Sequence, residues 1–340
     1  MGKARVSVCI PTFNKACHLQ EAVASVLAQR FEDFELIVLD DASTDETPAV
    51  VGAMHDPRLR CLRHPQNIGL AANFCRCLAV AACEYVVIFH DDDVMMPELL
   101  GREVVLLDSN PDVVLVHCAA QLIDGQGRVF SAPPCPWPPL TQGADFVRRY
   151  WSREDYGVTM ASVMLLRSVA TRVGGFNTGL KYSLDADLWQ RMAFEGKVAF
   201  IRDRLISNRV HARQASSRIL VNRLEMLEER LKYARATRRL LREHNANLDS
   251  EINDRLSLKM AKDLTELKAL KASTLQILEY SRAAARAHAK VLRSWRFYGH
   301  LLLALLPSWA VRKLKALHGQ WFLWKQTSSS RKDAAGKCAL

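Results

Sequence analysis

The sequence has no stretch long and apolar enough to span a bilayer as a helix. In its C-terminal tail the longest run free of Lys, Arg, Asp and Glu is Phe297 to Val311, which is 15 residues and contains Pro307. A spanning helix needs about 20 apolar residues. CxxC pairs are also missing, and Cys75–Cys77 has the wrong spacing for a zinc site. The nine cysteines are an odd number, several inside apolar runs, so reduced thiols of a cytosolic protein are expected rather than a disulfide framework. Nothing resembles a leader: "MGKARVSVCIP" runs straight into a strand-like stretch, and no signal peptide is expected. Proline is absent from residues 222 to 294, where Leu and Met recur at helical spacing among many charges. Long helices are the expectation there. Acid is nearly absent from residues 281 to 340, which hold twelve Lys and Arg against Asp333 alone. That excess equals the formal net charge of +11, so the first 280 residues balance at 35 basic and 35 acidic side chains. Any polyanionic partner of the chain as a whole is to be sought at the tail.

What is present begins with a rhythm. Over the first 120 residues short β-branched runs ("RVSVCI", "FELIVL", "LRCL", "EYVVIF", "DVVLVHC") alternate with helical patterns. Ala16 to Gln29 places Leu19, Ala22, Val23, Val26 and Leu27 on one face, and Leu70 to Ala82 behaves likewise. Buried strands separated by helices predict an α/β domain with a mostly parallel sheet. "LIDGQGRVF" (122–130) reads as a hairpin, and "APPCPWPPL" (132–140) as a rigid loop at a seam. Beyond it we expect a helix from about Thr141, a strand around Ser162 to Leu166 and a helix from about Asp185.

Ligands of parallel α/β sheets bind at the carboxyl ends of the strands. Acids recur at two such points: Asp40 and Asp41 after "ELIVL", and Asp91, Asp92 and Asp93 in "VVIFHDDDVMMP". A single aspartate after a strand is ordinarily a cap or turn residue, which covers Asp45 and either Asp40 or Asp93. Three in succession exceed what a cap needs. Clustered carboxylates are stable around a divalent cation, and Mg²⁺ or Mn²⁺ is held by a few carboxylates plus phosphate oxygens.

Four segments then stand in a familiar order: "VSVCIPTFNKACHLQEAVASVLAQRFEDFELIVLDDASTDET", "HPQNIGLAANF", "VVIFHDDDVMMP" and "VGGFNTGLKYSLDADLWQRM". Together they resemble the family 2 glycosyltransferases, of GT-A fold, from about Arg5 to about Ser217. The resemblance implies a nucleotide-binding loop at Pro11, Thr12, Phe13 and Asn14, with Phe13 as a face for the base. It implies a base-binding carboxylate at Asp41, which suits the N–H of uracil or thymine and so a UDP- or dTDP-sugar. Asn67 falls in the nucleotide site by the same resemblance. Asp92 matches the metal ligand and Asp91 lies near the ribose, with Asp93 an alternative ligand or cap. Asp185 falls on the catalytic base and Asp187 on the second acid. The competing reading of Asp185 is an acid favoured by a helix start. His211, in "NRVHARQASS", resembles a histidine near the metal or diphosphate, against a purely structural role. His64, His117 and the remaining histidines form no constellation.

Three positions depart from the family pattern. Ala42 stands where Gly is usual, while His90 and Leu184 each replace an acid. In the tail, Trp295, Trp309, Trp321 and Trp324 flank "HLLLALLP" and "VRKLKALHG", the pattern of an interfacial anchor, against a packed helical lid or dimer element. Expected, then, are a GT-A catalytic domain at 1–221 (about 1–120 for nucleotide, 121–221 for acceptor), a helical region at 222–294, a membrane-associated segment at 295–326 and a disordered tail at 327–340. The expected activity is inverting transfer from a nucleoside diphosphate sugar to a hydroxyl of a glycan or lipid-linked acceptor in surface polysaccharide assembly. A divalent cation, an anionic membrane surface on the cytoplasmic side and no nucleic acid complete the expectation. The alternative is a non-catalytic nucleotide-sugar-binding or scaffold protein.

Overall fold

The computed structural model describes residues 4–152, 158–211, 223–269, 273–287 and 295–306. The chain forms two compact units, Met1–Arg255 and Leu256–Leu340.

The first unit is built on one mixed sheet. Strand β1 (Val6–Thr12) is buried along its whole length, as a strand covered on both faces must be. It pairs in parallel with β2 (Phe34–Asp40) on one side and β4 (Tyr85–Ile88) on the other, and β2 carries β3 (Leu59–Arg63) outside it. The chain thus builds outward from β1 in one direction, then returns to build in the other. That reversal leaves a crevice at the carboxyl ends of β1 and β4, the switch point where doubly wound sheets take ligands. The helices α1 (Ala16–Leu27), α2 (Thr47–Gly52) and α3 (Leu70–Val80) connect these strands. Leu19, Ala22, Val23 and Val26 of α1 are all buried, on the face their spacing predicts.

Beyond β4 follow β5 (Val94–Met95), α4 (Leu99–Ser109), β6 (Val113–Ile123), β7 (Val129–Ser131), β8 (Leu140–Gln142), α5 (Gly143–Ser152), β9 (Val163–Leu166), α6 (Arg167–Arg172), α7 (Leu184–Ala193) and β10 (Lys197–Arg209). The sheet order is β3-β2-β1-β4-β9-β6-β10-β5. The β6–β10 pair is parallel, whereas β9 runs antiparallel to both β4 and β6 and β5 antiparallel to β10. β6 and β7 form the expected hairpin, with Leu122 opposite Ser131 and Ile123 opposite Val129. The helix expected from Thr141 begins at Gly143 instead. Leu140–Gln142 pairs with Lys197–Ala199 of β10 before the helix starts, so an edge-strand partner overrides the local helical pattern.

The helical region is as its composition predicts: α8 (Arg223–Glu243), α9 (Asp249–Ala269), α10 (Thr274–Ala287) and α11 (Trp295–Leu305). Within the second unit Met260, Leu264, Ile277 and Ala284 are buried, and the Tyr280 hydroxyl donates to Asp263 Oδ2 at 2.6 Å. Among the described residues no helix is long and apolar enough to cross a membrane. The eight described cysteines form no disulfide with one another. The amphipathic segment after Pro307 and the tail at 327–340 lie outside the described residues, as do residues 212–217 of the loop after His211.

The turn after β2 explains one departure in the sequence. Ala42 has φ 59°, in the left-handed region, where an L-residue with a Cβ is strained by roughly 1–2 kcal/mol. Glycine there would relieve that strain while adding about 0.4–1 kcal/mol of unfolded-chain entropy. Ala42→Gly is therefore expected to stabilise the fold by about 0.5–1 kcal/mol, read as a higher urea midpoint at unchanged m-value. A lower midpoint would show that the turn's conformation is held by something other than backbone preference.

Candidate active site

The expected nucleotide loop leaves β1 at the switch point. Asn14 has φ 55°, a conformation asparagine tolerates better than most residues. Its side-chain oxygen accepts from the Thr44 amide at 2.8 Å and the Asp45 amide at 3.3 Å, while its own amide donates to Ser43 Oγ at 2.9 Å. The loop after β1 is thereby laced to the loop after β2. Phe13 between them is 40% exposed. Pro11 and Thr12 end β1, and the Thr12 carbonyl accepts from the Asp41 amide at 2.9 Å.

Asp41 does more than the sequence shows. Its Oδ1 accepts from the Ile68 amide at 2.7 Å and its Oδ2 from the Gly69 amide at 2.9 Å, and Asn67 Nδ2 donates to its carbonyl at 3.2 Å. Gly69 caps α3 with φ 84°. Asp41 therefore fixes the "NIGL" turn; each carboxylate oxygen keeps a second lone pair for a ligand donor.

The aspartate trio divides into separate tasks. Asp92 Oδ2 lies 2.7 Å from Lys15 Nζ and 3.0 Å from His211 Nε2. Burial opposes the Asp92 charge, but His90, Lys15 and His211 outweigh it and hold the carboxyl below its ordinary value. Asp91 goes the other way: burial first, then the adjacent Asp92, push it up to about 6 against the pull of Lys15, Thr12 and His90. Asp93 is tied to the end of β10, its Oδ1 accepting from the Arg209 amide at 2.8 Å and its Oδ2 from Asn208 Nδ2 at 2.7 Å. His90 Nδ1 sits 3.2 Å from the same Oδ2. Burial disfavours the imidazolium, yet Asp93, Asp92 and Asp91 together raise its pKa above the usual range.

Potential ligand atoms of His90, Asp92 and Asp93 all lie within 4.8 Å of one another. His90, read from sequence as a lost acid, thus supplies a nitrogen donor to the cluster. One imidazole beside carboxylates suits Mn²⁺ better than Mg²⁺, which prefers oxygen throughout. The donor set fits a divalent cation. Asp92 has the carboxylate whose protein partners are side chains, Lys15 and His211, rather than backbone amides.

Sequence reading missed four residues. Lys15 follows directly on the β1 loop, where its position was the available signal. His18 on α1 stands with its ring centroid 5.0 Å from that of His211; no pattern in the chain predicts that pairing. Arg209 is the third: Nε donates to the Asp92 carbonyl at 2.8 Å, Nη1 to the Asp124 carbonyl at 3.2 Å and Nη2 to Glu21 Oε2 at 2.6 Å. Glu229 of α8 is the fourth, and its Oε1 accepts from the amides of Lys181, Tyr182 and Ser183 at 2.9, 2.9 and 3.2 Å.

Those three amides lead into α7, which carries Asp185 and Asp187 in its first turn. Asp185 is half-buried, and its Oδ1 accepts from the Ala186 amide at 2.7 Å. Burial raises its pKa, opposed by that amide and by the charge of His90, which places it in the field of the aspartate cluster. Asp187 is spent differently: its Oδ2 accepts from Arg191 Nε at 2.9 Å and Nη2 at 2.7 Å. Arg191 in turn donates to the Val173 and Gly175 carbonyls. Gly174 and Gly175 have φ 89° and 65°, so "VGGF" is a left-handed turn latched by Arg191. Leu184 is buried and packs where an acid would be unpaired.

A sheet whose switch point gathers a nucleotide-type loop and a strand-end aspartate cluster belongs to the GT-A class. The solved structures agree. The Staphylococcus aureus protein TarS 1-349 in complex with UDP-GlcNAc matches with TM-score 0.63 at 18% identity, covering 84% of this chain and 81% of that one. The mannosyltransferase PcManGT from Pyrobaculum calidifontis, in complex with GDP-Man and Mn²⁺, matches with TM-score 0.56 at 21% identity over 89% and 86%. At such identities the likeness is one of fold. Residues 7–164 match the family model for Glycosyl transferase family 2. An uncharacterized glycosyltransferase of Rickettsia prowazekii is 28% identical over 236 residues, 66% of this chain and 69% of that protein. The putative glycosyltransferase EpsE of Bacillus subtilis is 26% identical over 201 residues, 56% and 68%. Residues 7–164 thus carry a family 2 glycosyltransferase domain, and the similarity to glycosyltransferases extends over 66% of the chain.

Arg209 is the stabilising element most exposed to test. Its side chain is 1% exposed while that of Glu21 is 53% exposed, so removing the guanidinium strands the buried Asp92 carbonyl and the part-buried Asp124 carbonyl, whereas Glu21 stays solvated. Arg209→Met should cost about 1–3 kcal/mol, the penalty for leaving buried acceptors unsatisfied. Arg209→Lys should recover only part, because one ammonium cannot fork to three acceptors. Chemical denaturation of both variants reads this; a loss under about 1 kcal/mol would match a surface pair instead.

Proposed function

We propose that the chain transfers a sugar from a nucleoside diphosphate sugar to a hydroxyl acceptor with inversion, assisted by a divalent cation. The observation that carries the reading is one convergence. Lys15 from the β1 loop and His211 from beyond β10 both meet Asp92 after β4, and the charge of His90 reaches Asp185 on α7. Nucleotide-side and acceptor-side groups share one crevice.

The roles follow from what each group has left to offer. Phe13 lies against the base, and Asp41 accepts a base N–H through its remaining lone pairs, which favours uracil or thymine. Asp91, reluctant to ionise, lies near the ribose. Asp92 holds the cation, with His90 nearby and Asp93 and His211 as further candidates. A bound Mn²⁺ or Mg²⁺ would supply charge for the departing diphosphate. Lys15 would give up Asp92 to such a cation, and its ammonium is of a chemistry that could then bind phosphate oxygens. Asp185 then takes the proton of the attacking hydroxyl. Its Oδ1 is fixed by the Ala186 amide, which orients the carboxylate, and its other oxygen has no partner among the described residues. A base raised modestly by burial suits proton abstraction near neutral pH.

The proposed setting is a glycan or lipid-linked acceptor of surface polysaccharide assembly, with the tail on an anionic membrane face. In support, α11 leaves Tyr298, Leu302 and Leu305 exposed, and residues 281–340 carry the whole net charge. Apolar side chains with adjoining cations are what an interfacial anchor requires.

Two experiments test the chemistry. Asp92→Asn, and EDTA on the wild type, should each abolish transfer and Mn²⁺-dependent hydrolysis of a labelled UDP-sugar. Full turnover in EDTA after residual metal is excluded would remove the cation from the reading. Asp185→Asn keeps the side-chain shape but cannot take the proton. It should lower kcat by at least about 10²-fold, with nucleotide affinity, measured by thermal shift, near wild type. Retained kcat would transfer the role to another group, or leave the alternative of a non-catalytic binder if the wild type is also inactive.

A further inference from the structure

A cavity lined by several cationic side chains lies away from the aspartate cluster. It has a volume of about 470 Å³ and is walled by Asn177, Gly179 and Leu180 on one side and by α8 on the other. From α8 it takes Lys232, Arg235, Arg238, Arg239 and Arg242, and no acid lines it. Arg238 is compensated by Asp249 at 3.0 Å, and Arg239 by Glu243 at 3.8 Å with both side chains mostly exposed. Lys232, Arg235 and Arg242 have no carboxylate partner among the described residues.

The arrangement follows from how α8 is seated. Glu229, Tyr233 and Thr237 recur every fourth residue on its inner face. Glu229 holds the amides before α7, Tyr233 bonds Gln190 and stacks on Trp151, and Thr237 donates to Gln190 at 3.0 Å. Fixing that face turns Lys232, Arg235, Arg239 and Arg242, spaced i, i+3, i+7 and i+10, toward the 177–180 loop. Ten residues of helix span about 15 Å, so the cations form a row inside a groove. The row begins one turn beyond the Glu229 clamp on Lys181–Ser183, and Asp185 follows two residues after that clamp. Like charges this close repel within a Debye length, and an anion in the groove relieves them.

We propose that this groove binds a phosphate-bearing segment of the acceptor and so aligns its hydroxyl with Asp185. The assignment rests on the transferase reading above. The concave shape and the direct fastening to the α7 entrance favour an acceptor chain over a flat lipid leaflet. Phosphate oxygens meet guanidinium groups through paired, charge-assisted hydrogen bonds, which three arginines in one row can supply.

The test uses full-length protein with tripolyphosphate as probe and EDTA present, which silences cation-dependent binding at Asp92. Affinity is measured by calorimetry at two salt concentrations for the wild type and for Arg235→Gln/Arg239→Gln/Arg242→Gln. A control removes the same charge elsewhere through Arg30→Gln/Arg76→Gln/Arg202→Gln. The groove variant should bind at least about tenfold more weakly, with a smaller salt dependence, and the control near wild type. Donor hydrolysis with Mn²⁺ and the melting temperature should be unchanged in both. Equal affinity in wild type and groove variant, or equal loss in the control, would overturn the proposal. So would a groove variant that keeps tripolyphosphate but loses vesicles of phosphatidylglycerol, since that marks a membrane contact. Failure of the wild type to hydrolyse any donor would instead sink the transferase reading, whatever the groove binds.

Discussion

The catalytic crevice depends on one buried guanidinium. Arg209 ends β10, the strand that closes the acceptor half, yet its side chain reaches three other parts of the chain. It bonds the carbonyl of Asp92 in the aspartate turn, the carbonyl of Asp124 in the β6–β7 turn and the carboxylate of Glu21 on α1. Its own amide meets Asp93. Charged hydrogen bonds of this kind are among the stronger ones in proteins, and the two to Asp92 and Asp93 are buried. Moving β10 would therefore move Asp92, and with it His211, which follows Arg209 by two residues. The aspartate turn after β4, the β6–β7 turn and α1 are registered to β10 through this residue rather than through the sheet alone.

The same economy decides which acids remain free for chemistry. Several aspartates mark the motifs, and three of them are already in use. Asp41 fixes the Ile68–Gly69 turn, Asp93 fixes β10, and Asp187 orients Arg191 against the two-glycine turn. A carboxylate with both oxygens engaged by backbone or arginine donors is expensive to redirect. Asp92 and Asp185 differ. Asp92 pairs instead with the side chains of Lys15 and His211, and Asp185 keeps one oxygen unengaged among the described residues. Positive charge from Lys15, His90 and Arg209 also stands beside the three consecutive carboxylates and eases their mutual repulsion.

Much of this was legible in the chain, and the part that was not has a common cause. The α/β rhythm of β1 to β4 and the helices between them follow from local periodicity, as do the hairpin at 122–130 and the long helices after residue 222. Helix α5 was placed two residues early because Leu140–Gln142 owes its extended form to a partner 57 residues away, a signal local pattern does not carry. In the site, motif order located Asp92, Asp41 and Asp185, but not what holds them. Arg209, Glu229 and His18 act across 188, 46 and 193 residues of sequence on Glu21, Ser183 and His211, and no spacing rule relates such pairs. His90 shows the converse error: as a letter it removes an acid, while in space it adds a metal-type nitrogen and a positive charge.

Glu229 draws the helical region into the argument about catalysis. A carboxylate oxygen that accepts three consecutive amides does the work of an N-terminal cap for α7 from a different helix. The segment it holds, Lys181–Ser183, immediately precedes Asp185, so the position of the proposed base is set by α8 rather than by α7 alone. Tyr233 and Thr237 extend the same contact along Gln190. Rotation of α8 about its axis is thereby excluded, since a turn of 100° would withdraw all three side chains together. A helix locked in rotation on its inner face has a fixed outer face as well. The cationic row and the segment before Asp185 are consequently fastened to the same helix, one to its outer face and the other to its inner face.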